Sequence, residues 1–337
     1  MEVNFNSLKN KIGGTVKEIE DGKVFYLNPA IGKGFIAYHY LQPGLVAFNI
    51  QISLDISTTL PLQFIKEDSL QFLFCQEGSI LYTVAGETLS PVQIDQYQTA
   101  VLQRKSENPG EITVAADQSV VIRVIVVDRS EYFKSFYKTS ELIDQNVQDI
   151  LKHITDKSTY TQVGNFDLSI GEQYKQIAKT HEENEVSGSL SQKGRYYIIL
   201  AKHIQKFSNE MKDSGNESGL NQSELKRVID LSNHIKEQPE ASHNIRILCQ
   251  STGLSPAKIQ EGFKYLFDNT VSNYVCEIRL EKAEELIRYS DLTVSEIVYT
   301  VGLTSRSYFC KIFKKKYNYS PKDYRNRIKQ QLSNTAE

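Results

Sequence analysis

The pattern of apolar and polar positions changes twice along the chain. From about Lys23 to Asp128, short runs rich in aromatic and β-branched residues alternate with polar positions and end at glycines, as in Gly34–Tyr40 and Ser79–Val84. Alternation with a period of two, repeated at regular spacing, is typical of antiparallel strands in a barrel or sandwich. The pattern therefore predicts a β region in the first third of the chain.

From residue 130 to 212 the apolar positions recur at every third or fourth residue, which predicts helices with one apolar face. Two stripes carry this pattern, Leu142, Ile143, Val147, Ile150, Leu151 and Ile154, and later Tyr196, Ile199, Leu200, His203, Ile204 and Phe207. The small, polar, glycine-bearing segment 213–223 is the best linker candidate. Residues 224–330 show a helical pattern throughout.

This last region contains an internal repeat with an offset of about 50 residues. Gly253-Leu-Ser255 precedes Ile259, Phe263 and Phe267, and Gly302-Leu-Thr304 precedes Phe309, Phe313 and Tyr317. Each copy predicts an apolar helix that ends at a left-handed glycine, a hydroxyl cap (Ser255 or Thr304) and a second helix with one apolar face. The polar face of the second helix holds Lys258, Gln260 and Glu261, or Arg306, Ser307, Cys310 and Lys311.

A polar helix face after a tight turn is the geometry that enters a DNA major groove. Asn273 to Tyr289 fits one long helix between the copies, and Thr293 to Glu296 forms a capping box that opens the second copy. Two units fixed by a stiff helix can reach successive major grooves, which are about 34 Å apart. Helical repeats that serve protein contacts are the alternative.

Charge sharpens this interpretation. The whole chain has 39 Lys and Arg against 41 Asp and Glu, which argues against a uniformly basic nucleic-acid coat. Residues 224–330 alone hold 18 basic and 13 acidic residues. Between Arg306 and Lys329 the basic residues are opposed only by Asp323, which predicts a phosphate-binding surface.

Five spaced motifs of the last region resemble the AraC/XylS DNA-binding domain: Arg279–Ile287, Val294–Leu303, Ser307–Phe309, Phe313-Lys314 and Ser320–Arg325. The resemblance implies a bacterial transcription regulator, most often an activator, which binds double-stranded promoter DNA and works with RNA polymerase. It also implies an N-terminal domain that senses a small-molecule effector and forms a homodimer. The β region is similar in outline to the cupin-like sensory barrel of that family.

The chain departs from the family at several positions. Cys249 and Val298 stand where a small alanine is usual, and Leu303 stands where an aromatic residue is usual. Asp268 and Asn318 replace the glycines that follow the reading helices, and both residue types tolerate a left-handed cap. These changes should alter packing rather than function.

The candidate DNA contacts are the residues of these polar faces together with the positions that contact DNA in the family. The family positions add Ala257 to the first unit. The base-reading candidates are Ala257, Lys258, Gln260, Glu261, Arg306, Ser307, Cys310 and Lys311. The phosphate-binding candidates are Ser255, Lys264, Thr304, Ser305, Lys314, Lys315 and Lys316. We expect the second reading helix to supply more affinity than the first, because glutamate is poorly suited to phosphate.

No catalytic, metal or cofactor site is expected. His39 is the only histidine of the β region, and one imidazole does not build a metal centre. Six aromatic residues of the strands could line an effector pocket: Tyr38, Tyr40, Phe48, Phe72, Phe74 and Tyr82. Filling a core is the other explanation for them. Two rival functions are a cupin-type enzyme fused to a DNA anchor and an architectural protein that binds DNA without sequence choice.

The sequence thus predicts an α+β protein. A cupin-like antiparallel β-barrel (1–129) is followed by a helical dimerisation region (130–212), a linker (213–223) and an all-α domain (224–330) with two helix-turn-helix units joined by a long helix. The four cysteines are far apart, and no apolar stretch approaches the roughly 20 residues that span a bilayer. The N-terminus lacks a signal-peptide core. We therefore expect a cytoplasmic protein without a membrane partner.

Overall fold

The computed structural model describes residues 4–19, 21–62, 65–66, 68–86, 90–104, 108–128, 131–132, 159–179, 185–212 and 219–334. The chain divides into two units, Met1–Ser214 and Gly215–Glu337.

The first unit is built mainly from antiparallel strands. It contains helix α1 (Asn6–Ile12) and the strands β1 (Thr15–Ile19), β2 (Gly22–Tyr26), β3 (Gly32–Gln42), β4 (Leu45–Leu54), β5 (Thr58–Pro61), β6 (Ser69–Glu77), β7 (Ile80–Val84), β8 (Val92–Ile94), β9 (Gln98–Arg104), β10 (Gly110–Val114), β11 (Gln118–Asp128) and β12 (Thr159–Phe166). The predicted antiparallel β region is confirmed.

The described strands form two sheets that share one core. The large sheet has the order β1-β2-β3-β4-β11-β6-β9-β12, and the small sheet has the order β5-β10-β7-β8. Phe48 and Val124 of the large sheet belong to the same apolar cluster as Ile80 and Tyr82 of the small sheet, and none of the four is more than 2% exposed. Burying each such side chain contributes about 1.5–3 kcal/mol, so this cluster holds the sheets face to face.

The helical prediction for residues 130–212 is wrong at β12. This strand pairs with β9, with Tyr160 opposite Gln103. Its β-branched and aromatic residues favour a strand where a neighbouring edge supplies hydrogen bonds, and local periodicity does not reveal such a distant partner. The predicted stripe from Leu142 to Ile154 lies outside the described residues, as do His153 and His181.

Helices α2 (Leu168–Lys179) and α3 (Glu185–Lys212) cover the face of the large sheet that points away from this core. The ring of Phe74 in β6 stacks on Tyr174 of α2, with 5.9 Å between centroids. Phe72 lies 5.7 Å from the ring of His203 on α3. Five residues of the predicted stripe form the buried face of this helix, because Tyr196, Ile199, Leu200, His203 and Phe207 are at most 3% exposed. Ile204, the sixth, is half-buried.

The second unit is helical. It contains α4 (Gln222–Glu237), α5 (Ile245–Thr252), α6 (Pro256–Phe267), α7 (Val271–Tyr289), α8 (Val294–Thr300), α9 (Arg306–Tyr317) and α10 (Pro321–Asn334). Helix α4 begins inside the predicted linker, because Asn221 and Glu224 form a capping box. Leu220, also within the predicted linker, is buried.

Helix α7 joins two apolar cores, as the sequence predicted for one long helix. Near its start, the ring of Tyr274 lies 5.2 Å from Phe263 of α6. Further along, Ala283 and Ile287 belong to a cluster with Phe313 of α9. Since one uninterrupted helix contributes to both cores, it fixes the two helix-turn-helix units to each other.

Candidate nucleic-acid interface

Each helix-turn-helix unit contains a glycine in the left-handed region. Gly253 ends α5 with φ +67° and donates its N–H to the carbonyl of Cys249 at 2.9 Å. Gly302 follows α8 with φ +77°. Asp268 and Asn318, at the ends of the reading helices α6 and α9, also have positive φ, +48° and +66°. The sequence therefore predicted all four left-handed positions correctly.

The caps of the reading helices differ by one residue. Ser255 caps α6 as predicted, and its hydroxyl accepts the N–H of Lys258 at 3.3 Å. The prediction of Thr304 as the second cap is wrong, because Ser305 caps α9 and accepts the N–H of Tyr308 at 3.2 Å. The second turn is one residue longer than the first, so Thr304 lies one position before the cap.

The polar face of the first reading helix is engaged within its own unit. Lys258 forms an ion pair with Glu224 at the start of α4, and this hydrogen bond lowers the pKa of that carboxyl group. Glu261 accepts the N–H of Gly219 at 2.8 Å. Gln260 accepts the N–H of Val271 at 3.4 Å, whereas Ala257 is exposed.

The second reading helix has a different character. Arg306, Ser307 and Lys311 are exposed, and Cys310 is half-buried. Among the described ion pairs of the second unit, none includes Arg306, Lys311, Lys314 or Lys315. These cations are therefore available to an external anion, whereas Lys258 and Lys264 of the first helix form ion pairs and Glu261 accepts a backbone N–H.

The remaining phosphate candidates are partly engaged. Lys264 pairs with Asp268 one turn later and lowers the pKa of that carboxyl group. Lys316 pairs with Glu281 of α7 at 3.0 Å. Thr304 is exposed, and the hydroxyls of the two serine caps accept backbone N–H groups but keep their own protons to donate.

Sequence reasoning missed a junction between the two helix-turn-helix units. A methyl group built on Gly302 would lie 2.6 Å from the carbonyl oxygen of Glu240, in the loop between α4 and α5. Arg279 of α7 holds the same loop, since it donates to the carbonyls of Pro239 at 2.8 Å and Ala241 at 3.0 Å. The family motif that begins at Arg279 was the available signal, but spacing does not show which carbonyl an arginine will meet.

The structure does not bring the six candidate pocket residues around one cavity. Phe48 lies opposite Val124, whereas Phe72 lies opposite Ile125, and adjacent residues of a strand face opposite sides of the sheet. Three of the six therefore lie in the core between the sheets (Tyr38, Phe48 and Tyr82), two lie against α2 and α3 (Phe72 and Phe74), and one is 37% exposed (Tyr40).

The described residues contain no group of three or more His, Cys, Asp or Glu side chains placed to hold a metal ion. His39 lies in β3, with its ring 6.3 Å from that of Tyr196. Within the same part of the chain, every helix is too short or too polar to cross a membrane.

Comparison with known proteins assigns residues 248–327. A helix-turn-helix domain model matches residues 248–327. An HTH-type transcriptional regulator from the cgkA 5′ region of Pseudoalteromonas carrageenovora is 33% identical over 82 residues, which are 24% of this chain and 48% of that protein. The HTH-type transcriptional regulator MtrA of Neisseria gonorrhoeae is 27% identical over 128 residues, or 38% and 42% of the two chains.

A crystal structure of apo ToxT from Vibrio cholerae aligns with 84% of this chain and 97% of its own, at 15% identity and a TM-score of 0.34. The matched region spans less than half of each of the curated relatives described above. The resemblance found in the sequence is confirmed over residues 248–327, which form an AraC-type helix-turn-helix domain.

Proposed function

We propose that this chain, which contains an AraC-type helix-turn-helix domain at residues 248–327, is a sequence-specific DNA-binding regulator of transcription. One observation carries the proposal. Helix α9 follows a tight turn and buries Phe309 and Phe313 on one side. On the other side it exposes Arg306 and Lys311, which belong to none of the described ion pairs. Such a helix can enter a major groove, where arginine and lysine contact guanine edges or phosphates.

The two reading helices have different tasks. Helix α9, with its unpaired cations, supplies most of the affinity. Helix α6 supplies selectivity, because Glu261 can accept a hydrogen bond from a cytosine amino group and Ala257 can contact a thymine methyl group. To do so, Glu261 must release its hydrogen bond with the backbone N–H of Gly219, which lies just before α4. The segment that leads into the DNA-binding domain therefore competes with DNA for a base-reading side chain.

In this proposal the first unit controls the second in two ways, by forming a homodimer and by binding an effector. Along α3, Leu190, Tyr197 and Ile198 are 67%, 37% and 49% exposed, at a spacing that places them on one face of the helix. A second copy of the chain is the proposed occupant of this face. The homodimer would place two DNA-binding domains on adjacent half-sites, and a small-molecule effector bound to the first unit would change their spacing. The DNA-bound dimer would then activate transcription in the cytoplasm by acting on RNA polymerase.

Selection of random double-stranded DNA by the full chain, followed by sequencing, tests this function. We expect a recurring motif with two blocks about 10 base pairs apart, one for each reading helix. The variants Arg306→Ala and Lys311→Ala should each cost about 1–3 kcal/mol at particular base pairs of one block.

Lys282→Ala is the matched control, because Lys282 lies on α7 and pairs with Glu285 at 2.8 Å. It should leave both blocks unchanged. Selected sequences without any motif would overturn the proposal and indicate an architectural protein. Equal losses in the control and in the α9 variants would remove α9 from the reading surface.

A further inference from the structure

The first unit holds a partly buried arginine in its large sheet. Arg123 lies near the middle of β11 and points to the face that α2 and α3 cover. Its Nε donates to the side-chain oxygen of Gln76 at 3.0 Å, and its guanidinium carbon lies 5.8 Å from the ring centre of Tyr174. These contacts leave the four N–H groups on its two terminal nitrogens without an acceptor among the described residues.

Arg123 also lacks an anion. Among the described residues no carboxylate lies within ion-pair distance of it, and the neighbouring polar groups that act on its charge are the phenols of Tyr174 and Tyr196. Burial lowers the pKa of Arg123, because the surrounding side chains solvate its charge less well than water does. A partly buried cation without a paired anion is destabilising unless a partner arrives from outside the chain.

A second polar group beside Arg123 is unpartnered as well. The hydroxyl of Tyr174 is buried and has no hydrogen-bond partner among the described residues, and the residue is only 3% exposed. Burial raises the pKa of Tyr174 and of Tyr196, so both phenols keep their protons and can donate. Tyr196 already hydrogen-bonds Asn49, because its phenol oxygen accepts the amide N–H at 3.1 Å and its O–H donates to the amide oxygen at 3.4 Å.

The sheet register brings these groups together. Asn49, Arg123 and Phe74 are direct cross-strand neighbours on β4, β11 and β6, so their side chains share one face. The rings of Phe74 and Tyr174 stack beside the guanidinium, and Tyr196 lies 6.4 Å from Tyr174. The described side chains of this cluster therefore combine one cation, several hydrogen-bond donors and aromatic rings, and none of them is acidic.

We propose that this cluster, formed by Arg123, Tyr174, Tyr196, Asn49 and Gln76, binds a small organic monocarboxylate. A guanidinium offers parallel N–H groups that match the two oxygens of a carboxylate. One cation balances one negative charge, and the neighbouring rings suit an aromatic or short aliphatic body. The inference deepens the proposed function, because it gives the effector a chemical class and a place between the sheet and α3. Ligand binding is measured without DNA, so failure here leaves the DNA-binding proposal intact.

Isothermal titration calorimetry of the full chain with paired probes tests the site. Sodium benzoate and sodium hexanoate are each compared with the uncharged amide of the same shape, benzamide and hexanamide, at constant ionic strength. We expect at least one carboxylate to bind with one site per chain and at least tenfold more tightly than its amide. No binding by either carboxylate, or equal binding of acid and amide, would overturn the proposal.

Variants assign the binding to this cluster. Arg123→Gln should lower the affinity for the carboxylate at least tenfold, whereas Lys33→Gln, which removes an exposed cation from β3, should leave it unchanged. Should Arg123→Gln fail to fold, Arg123→Lys keeps the charge and should bind more weakly while still preferring acid to amide. Undiminished binding by Arg123→Gln, or loss of the preference in Arg123→Lys, would place the ligand elsewhere.

Tyr174→Phe separates binding from packing. No described residue hydrogen-bonds this hydroxyl, so its removal should not lower the thermal midpoint, but it should weaken carboxylate binding severalfold. A lower midpoint with unchanged affinity would show that the phenol serves the fold alone and would remove it from the site.

Discussion

Lys314 and Lys316 provide a matched pair for testing how α9 meets DNA. Both residues lie in the last turn of the same helix, and both are exposed. Lys316 forms an ion pair with Glu281 at 3.0 Å, while Lys314 belongs to no described ion pair. Replacing either by alanine removes one positive charge, so helix propensity and net charge change equally.

The expected magnitude follows from counterion release. Each phosphate that a cation neutralises contributes about 0.9 to the slope of log K against log salt concentration. Lys314→Ala should therefore lower the slope by about 0.9, which between 50 and 200 mM salt corresponds to about a 3.5-fold smaller loss of affinity. Lys316→Ala should change the slope by less than half as much, because Lys316 already has a carboxylate partner.

The assay is fluorescence anisotropy with a labelled duplex that contains the selected motif, titrated at four or more salt concentrations. Circular dichroism of both variants checks that α9 remains folded. A slope change for Lys316→Ala as large as that for Lys314→Ala would refute the use of intramolecular ion pairs to rank phosphate contacts. An unchanged slope in both variants would exclude the end of α9 from the interface.

Three further predictions concern the fold. Gly302→Ala should lower the thermal midpoint of the second unit more than Gly253→Ala, although both glycines have positive φ, because the added methyl group meets the Glu240 carbonyl oxygen at 2.6 Å in one case and only an arginine side chain at 3.6 Å in the other. Left-handed strain alone costs about 1–2 kcal/mol in either variant. Equal decreases of the two thermal midpoints in calorimetry would show that the loop around Glu240 moves to accommodate the methyl group. Phe313→Ala should cost about 3–5 kcal/mol in denaturant unfolding, since the ring is fully buried, and a loss below 1 kcal/mol would contradict the described core. Burial lowers the pKa of His203 to about 3, so the native state keeps this imidazole neutral while the unfolded chain takes up a proton below about pH 6.5. Stability of the first unit should therefore be fully present above pH 6.5 and fall by roughly 2 kcal/mol between pH 7 and 5, and His203→Gln should remove this part of the pH dependence. An identical pH profile in the variant would show that the histidine is not the responsible group.

The sequence determined the features of this protein that depend on neighbours along the chain. The 50-residue repeat, the left-handed residues Gly253 and Asn318, the capping box at Thr293 and the long helix α7 all follow from interactions within a few residues. Left-handed φ and N-terminal capping are properties of a residue and its next three positions, so they can be predicted without knowledge of the fold.

Other features were decided only when distant segments met. Strand β12 forms because β9 offers it an edge, and the aromatic residues of β6 separate from Phe48 because adjacent strand positions face opposite sides of the sheet. Whether a lysine is free to bind phosphate depends on a carboxylate far away in sequence, as Glu281 is for Lys316. Pairing across a sheet or between helices follows from three-dimensional proximity, which residue type and spacing along the chain do not encode.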